Sequence, residues 1–99
     1  MEKISIYTVP EEIKKQAKKL VNEIPGFIHM STYRASEHPD DTHIYYVIAR
    51  HVATSTFTSW LMNVSTGLTL ERYGFSTFKD CYDDVIKDRI QYHDNKKSD

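Results

Sequence analysis

The chain predicts an α+β fold: a two-layer domain in which a mostly antiparallel, five-stranded sheet carries two helices on one face, in the order β-α-β-β-β-β-α. Three observations predict it. Charge gathers at both ends, since residues 25–75 hold only seven charged side chains, Arg34, Glu37, Asp40, Asp41, Arg50, Glu71 and Arg72. That middle stretch is rich in Thr, Ser, Tyr and β-branched residues, which suit a pleated sheet, while both flanks repeat apolar residues at helical spacing. Finally, 99 residues with 39% apolar and 12% aromatic side chains suffice for one core and leave no room for two. Residues 1–93 read as a single domain, and 94–99 as a frayed polar C-terminal tail.

The first element alternates Ile4, Ile6 and Thr8 against Ser5, Tyr7 and Val9, a short strand. Pro10 suits the start of a helix, where its missing N–H is not needed, and Glu11 and Glu12 complement the positive end of the helix dipole. Ile13, Ala17, Leu20, Val21 and Ile24 then line one helical face until Pro25 and Gly26 stop it. Phe27–Tyr33 and His43–Val52 read as strands joined by the polar loop Ser36 to Thr42. The run Tyr45 to Ala49 has side chains suited to packing on both faces, which marks a central strand. Thr56–Val64 and Leu68–Phe75 form a second hairpin whose turn, Ser65 to Gly67, places a glycine where positive φ is needed. The last element is a helix from Ser76 or Thr77, with Thr77 and Asp80 spaced as an approximate capping box. Phe78, Cys81, Tyr82, Val85, Ile86 and Ile90 trace its apolar face.

A competing parse makes Ala53–Asn63 a helix and yields a ferredoxin-like β-α-β-β-α-β order. Five of those eleven residues are Ser or Thr, a poor helix composition, so the all-strand centre is preferred.

Thirteen basic against fourteen acidic residues leave a net charge of −1, which argues against a strongly basic nucleic-acid or membrane-surface module. No apolar run approaches the ~20 residues of a bilayer span, and no N-terminal stretch has the form of a signal peptide. Cys81 alone cannot form an internal disulfide, as expected of a cytoplasmic protein.

Motifs for chemistry are sparse. His38 and His43 flank Asp40 and Asp41 on one loop, but their spacing matches no standard metal site, so the loop reads as solvated and no metal or cofactor is expected. His51 at a strand end and His29 on the sheet read as structural rather than as general bases. Cys81 lies on the apolar stripe of the last helix, where a thiol is a small, unreactive core residue. The three glycines are isolated, and no nucleophile elbow or phosphate loop is present. No catalytic residue is assigned, and an enzyme is the less favoured class.

Two surfaces stand out instead. Seven Tyr, four Phe and one Trp exceed what two short helices cover, so Tyr33, Tyr45, Trp60 and Tyr73 are expected to share an exposed, aromatic interaction face. Lys14, Lys15, Lys18 and Lys19 form a basic strip on the first helix, available for nucleic-acid contacts but disfavoured by the overall charge. The stretch Ile24-Pro-Gly-Phe-Ile-His-Met30, followed later by Trp60, is similar to small ferredoxin-like monooxygenases of the antibiotic-biosynthesis type. That resemblance covers about forty residues, implies a second helix after a hairpin, and transfers no catalytic residue. In size and layout the chain also resembles small accessory proteins of bacteria and their phages, some of which regulate or inhibit host enzymes.

The sequence thus points to a small non-catalytic binding or accessory protein, whose partner is a protein or a second copy of itself. A ferredoxin-like monooxygenase and a weak nucleic-acid binder are the alternatives.

Overall fold

Pro10, with φ −57° and ψ 146°, turns an extended lead-in into the first helix, and its carbonyl accepts the Ile13 and Lys14 N–H groups. The computed structural model describes the backbone of residues 5–97 and the side chains of residues 5–88. Its elements are α1 (Glu11–Asn22), β1 (Phe27–Arg34), β2 (Ile44–His51), β3 (Thr56–Asn63), β4 (Gly67–Phe75) and α2 (Phe78–Lys97). The strands form one antiparallel meander in the order β1-β2-β3-β4.

Each turn has a legible cause. After α1 the chain reverses at Gly26, whose φ of +87° an L side chain rarely adopts, and the Phe27 N–H returns to the Ile24 carbonyl. The Asn63 side-chain oxygen accepts the Ser65 and Thr66 N–H groups at 2.9 and 3.3 Å, an Asx turn that leads into Gly67 at φ +101°. Thr77 caps α2: its hydroxyl accepts the Asp80 N–H at 3.1 Å. The expected hairpin between β3 and β4 and the expected Thr77 cap are both present.

The sheet is covered on both faces. Strand alternation sends Tyr45, Val47 and Ala49 of β2 toward α1, where they pack with Ala17, Val21, Trp60 and Met62. Tyr46 and Ile48 point the other way and pack with Tyr33, Cys81 and Val85 beneath α2. The segment before α1 crosses from the α2 side of the sheet to the α1 side. Tyr7 meets the Tyr33 ring edge-on at 5.8 Å and its phenol touches that of Tyr82, while Val9, two residues on, is buried on the α1 side.

Three expectations are corrected. Among the described residues the sheet has four strands, not five: residues 5–9 make tight turns, with the Thr8 N–H on the Ser5 carbonyl and the Val9 N–H on the Tyr7 carbonyl. This segment contributes one sheet-like rung, Arg34 N–H to the Ile6 carbonyl at 2.9 Å; Ile4 lies outside the described residues. The helices lie on opposite faces rather than one, because β2 is apolar on both sides and each face needs its own cover. The ferredoxin-like parse also fails: residues 56–63 of the alternative helix are β3. The polar tail expected at 94–99 begins inside α2, whose backbone is helical through Lys97, and residues 98–99 lie outside the described residues.

Candidate functional site

The four aromatic residues expected to share an open face are separated by the fold. Tyr33 lies buried on the α2 side, and Tyr45 and Trp60 lie buried on the α1 side, so these three are core and not a binding face. The correction has a simple origin: strand alternation assigns a side chain to a face, but a helix decides whether that face meets water. Tyr73 alone of the four is exposed, at 76%, on β4, the last strand of the sheet. Leu70, paired across the ladder with Trp60, is 51% exposed on the same strand. Two irregularities in β4, between its pairings to Phe57, Ser59 and Trp60, accommodate Glu71 and the Tyr73–Gly74 step as extra residues. Gly74 at φ +85° makes the second possible without strain.

Buried Tyr45 carries a polar atom with no hydrogen-bond partner, and burial raises its phenol pKa. A desolvated, unpaired hydroxyl offsets part of what the ring contributes. Tyr45→Phe is therefore expected to be neutral or stabilising by up to about 1 kcal/mol in urea unfolding. A loss above that would mean that the hydroxyl has a partner.

The histidines are engaged locally. His29 Nε2 and the Thr32 hydroxyl are 2.7 Å apart, and burial, then the Lys18 charge, lowers the His29 pKa. His51 Nδ1 lies 2.9 Å from the Thr54 hydroxyl, which continues to Thr56 at 2.7 Å, and Phe27 packs edge-on against the imidazole at 4.8 Å. His38 accepts the Asp40 N–H on the β1–β2 loop at 3.3 Å. Among the described residues no three His, Cys, Asp or Glu side chains converge as a metal site.

Cys81 is fully buried, and burial pushes its thiol up to about 12. Because burial disfavours the charged thiolate, a shift from 9.0 to about 12 leaves roughly a thousandfold less thiolate at pH 8. Iodoacetamide is expected to label Cys81 in the folded chain at least a hundredfold more slowly than in urea. Equal rates would place the thiol at the surface.

Lys14, Lys15, Lys18 and Lys19 are all exposed, as the strip requires, but Glu11, Glu12 and Glu23 are exposed on or beside the same helix, and Lys14 pairs with Glu11 at 3.5 Å. On the α2 side, Arg72 bridges Asp84 at 3.0 Å and Asp88 at 3.6 Å, and the Tyr46 hydroxyl donates to Asp88 at 2.7 Å. Arg72, Asp84, Lys87 and Asp88 line an open notch of about 180 Å³. Burial, and next the Asp88 charge, raises the Glu71 pKa beside it. This cluster fastens α2 to β4 and β2.

Sequence reasoning passed over Leu70 and Arg34. Leu70 was legible as the second member of the Leu68-x-Leu70 alternation, and Arg34 as an isolated charge at the end of a strand. Among the described residues no helix is long and apolar enough to cross a membrane. In comparisons with protein-family models, curated proteins and solved structures, nothing matches the chain.

Proposed function

We propose that the chain is a non-catalytic protein-binding module that docks a protein partner, or a second copy of itself, through the outer side of β4 around Tyr73 and Leu70. The observation that carries this reading is the exposure of a tyrosine and a leucine on an edge strand, in a fold whose other large aromatics are mostly covered. Tyrosine supplies a large, amphipathic contact at low entropic cost, which favours it at the centres of interfaces. An edge strand adds main-chain groups for orientation, and the two irregularities in β4 limit indiscriminate edge pairing. Neither feature calls for a cofactor. A reducing, cytoplasmic setting fits the buried free thiol, Cys81.

The test combines light scattering across concentration with photo-crosslinking in the source lysate, from a benzoylphenylalanine at position 73 and, as control, at position 15. Self-association that disappears in Leu70→Ser/Tyr73→Ser, or one discrete adduct from position 73 that position 15 does not make, supports the reading. A monomer at all concentrations with no adduct specific to position 73 overturns it.

A further inference from the structure

The sheet has a second edge, β1, and its surroundings differ from those of β4. An edge presents main-chain N–H and C=O groups in a row, so the ligand that fits it is another extended chain. β1 already engages a chain once: Arg34 N–H donates to the Ile6 carbonyl, after which the Ser5–Val9 turns lead that segment away. Strand alternation places the Thr32 main-chain groups on the same outward side as those of Arg34, but Thr32 is only 8% exposed and Arg34 is buried, so the open part of the edge is its Ile28–Met30 half. Further along, Ile28 is 49% exposed and Met30, at the irregularity between His29 and Ser31, is 45% exposed. Ile28 pairs with Arg50 and so belongs to the α2 side of the sheet, where Arg50 is held by the Ser55 hydroxyl at 3.2 Å.

The α1 side of this edge is cationic. Helix α1 lies over β1. Its Gln16 flank reaches the Val64 carbonyl at 3.0 Å, beyond β3, which turns the opposite flank, with Lys14 and Lys18, toward the outer side of β1. Lys18 acts electrostatically on His29, whose side chain lies on that same side. Glu11 is the acidic group on this flank, and Lys14 engages it.

From this placement we propose that the β1 edge is a docking site for an extended segment of a partner protein in which acidic and apolar residues alternate. Added as a further strand, the segment sets its carboxylates against Lys14 and Lys18 and its apolar side chains beside Ile28. Main-chain pairing supplies the affinity and the lysine flank selects the charge. This site is separate from β4 and stands whether or not the Tyr73 surface binds anything.

The test titrates the full-length, ¹⁵N-labelled chain with two capped heptapeptides, Glu-Val-Glu-Val-Glu-Val-Glu and its lysine counterpart, following amide shifts and amide exchange. The acidic peptide is expected to shift and protect the β1 amides of the Ile28–Met30 half, while leaving β4 unmoved. The lysine peptide is expected to bind about tenfold more weakly, and Lys14→Glu/Lys18→Glu to weaken the acidic peptide by about tenfold. Both lysines are exposed, so the variant keeps the fold, and its unperturbed spectrum verifies that. No β1 shift at millimolar peptide, shifts confined to the α1 lysines or to β4, or equal binding of the two peptides overturns the proposal.

Discussion

Trp60→Ala is expected to destabilise the fold by about 3–5 kcal/mol, the range for deleting a large core aromatic. Trp60 is only 5% exposed, sits between β2 and β4 opposite Val47 and Leu70, and meets the Phe27 ring edge-on at 4.9 Å. It belongs to the α1-side core with Val21 and Met62, so its loss opens a cavity that the paired strands cannot collapse to fill. A chain of this size has total stability of about 5–15 kcal/mol, so the variant is expected to populate unfolded forms near body temperature. Urea unfolding followed by circular dichroism measures this, since the mutation removes the sole tryptophan fluorophore. Tyr73→Ala serves as the contrast, with an expected change within about 0.5 kcal/mol because its side chain stands in solvent. Equal effects from the two variants would contradict the division of these aromatics into core and surface.

Arg34→Met is expected to cost about 2–4 kcal/mol and to loosen the loop between β1 and β2. The Arg34 guanidinium is buried and donates to three loop carbonyls: Ser36 at 3.1 Å from Nε, and His38 at 2.9 Å and Asp41 at 3.1 Å from one terminal nitrogen. Methionine fills the volume but satisfies none of these acceptors. Lysine restores the charge without the planar fork, so Arg34→Lys is expected to recover less than half of the loss. Amide exchange supplies the local measurement: the His38 and Asp41 N–H groups, bonded to the Ser36 hydroxyl and the His38 carbonyl, should lose their protection. Unchanged protection there would mean that the loop holds its shape without the arginine.

These two residues also mark where sequence reading succeeds and where it stops. Trp60 falls in the expected strand, because five of the eleven residues of Ala53–Asn63 are Ser or Thr, a poor helix composition. It was nevertheless expected at the surface, since counting aromatics against helical area says nothing about which face each helix covers. The β2 run from Tyr45 to Ala49 held the missing clue. A strand apolar on both faces implies cover on both, and α1 and α2 provide it from opposite sides. Arg34 carried a weaker signal, for its three acceptors belong to a loop whose path no local pattern specifies.

What the amino-acid order determined alone is the local grammar. The 3.6-residue apolar repeats of Ile13–Ile24 and Phe78–Ile86, the Thr77 cap, the Gly26 stop and the Gly67 turn depend on residues close together in the chain, so their energetics are readable in place. The first strand fails for the complementary reason: alternation at residues 4–9 is compatible with a strand, but Tyr7 leans on the Tyr33 and Tyr82 rings on the α2 side while Val9 is buried on the α1 side, and among the described residues 5–9 the ladder holds one rung. Exposure of Tyr73, burial of Tyr33, Tyr45 and Trp60, and the cationic flank above β1 were decided only by tertiary structure. Each depends on which distant element lies across a face, and that choice is set by the area the whole chain must hide from water.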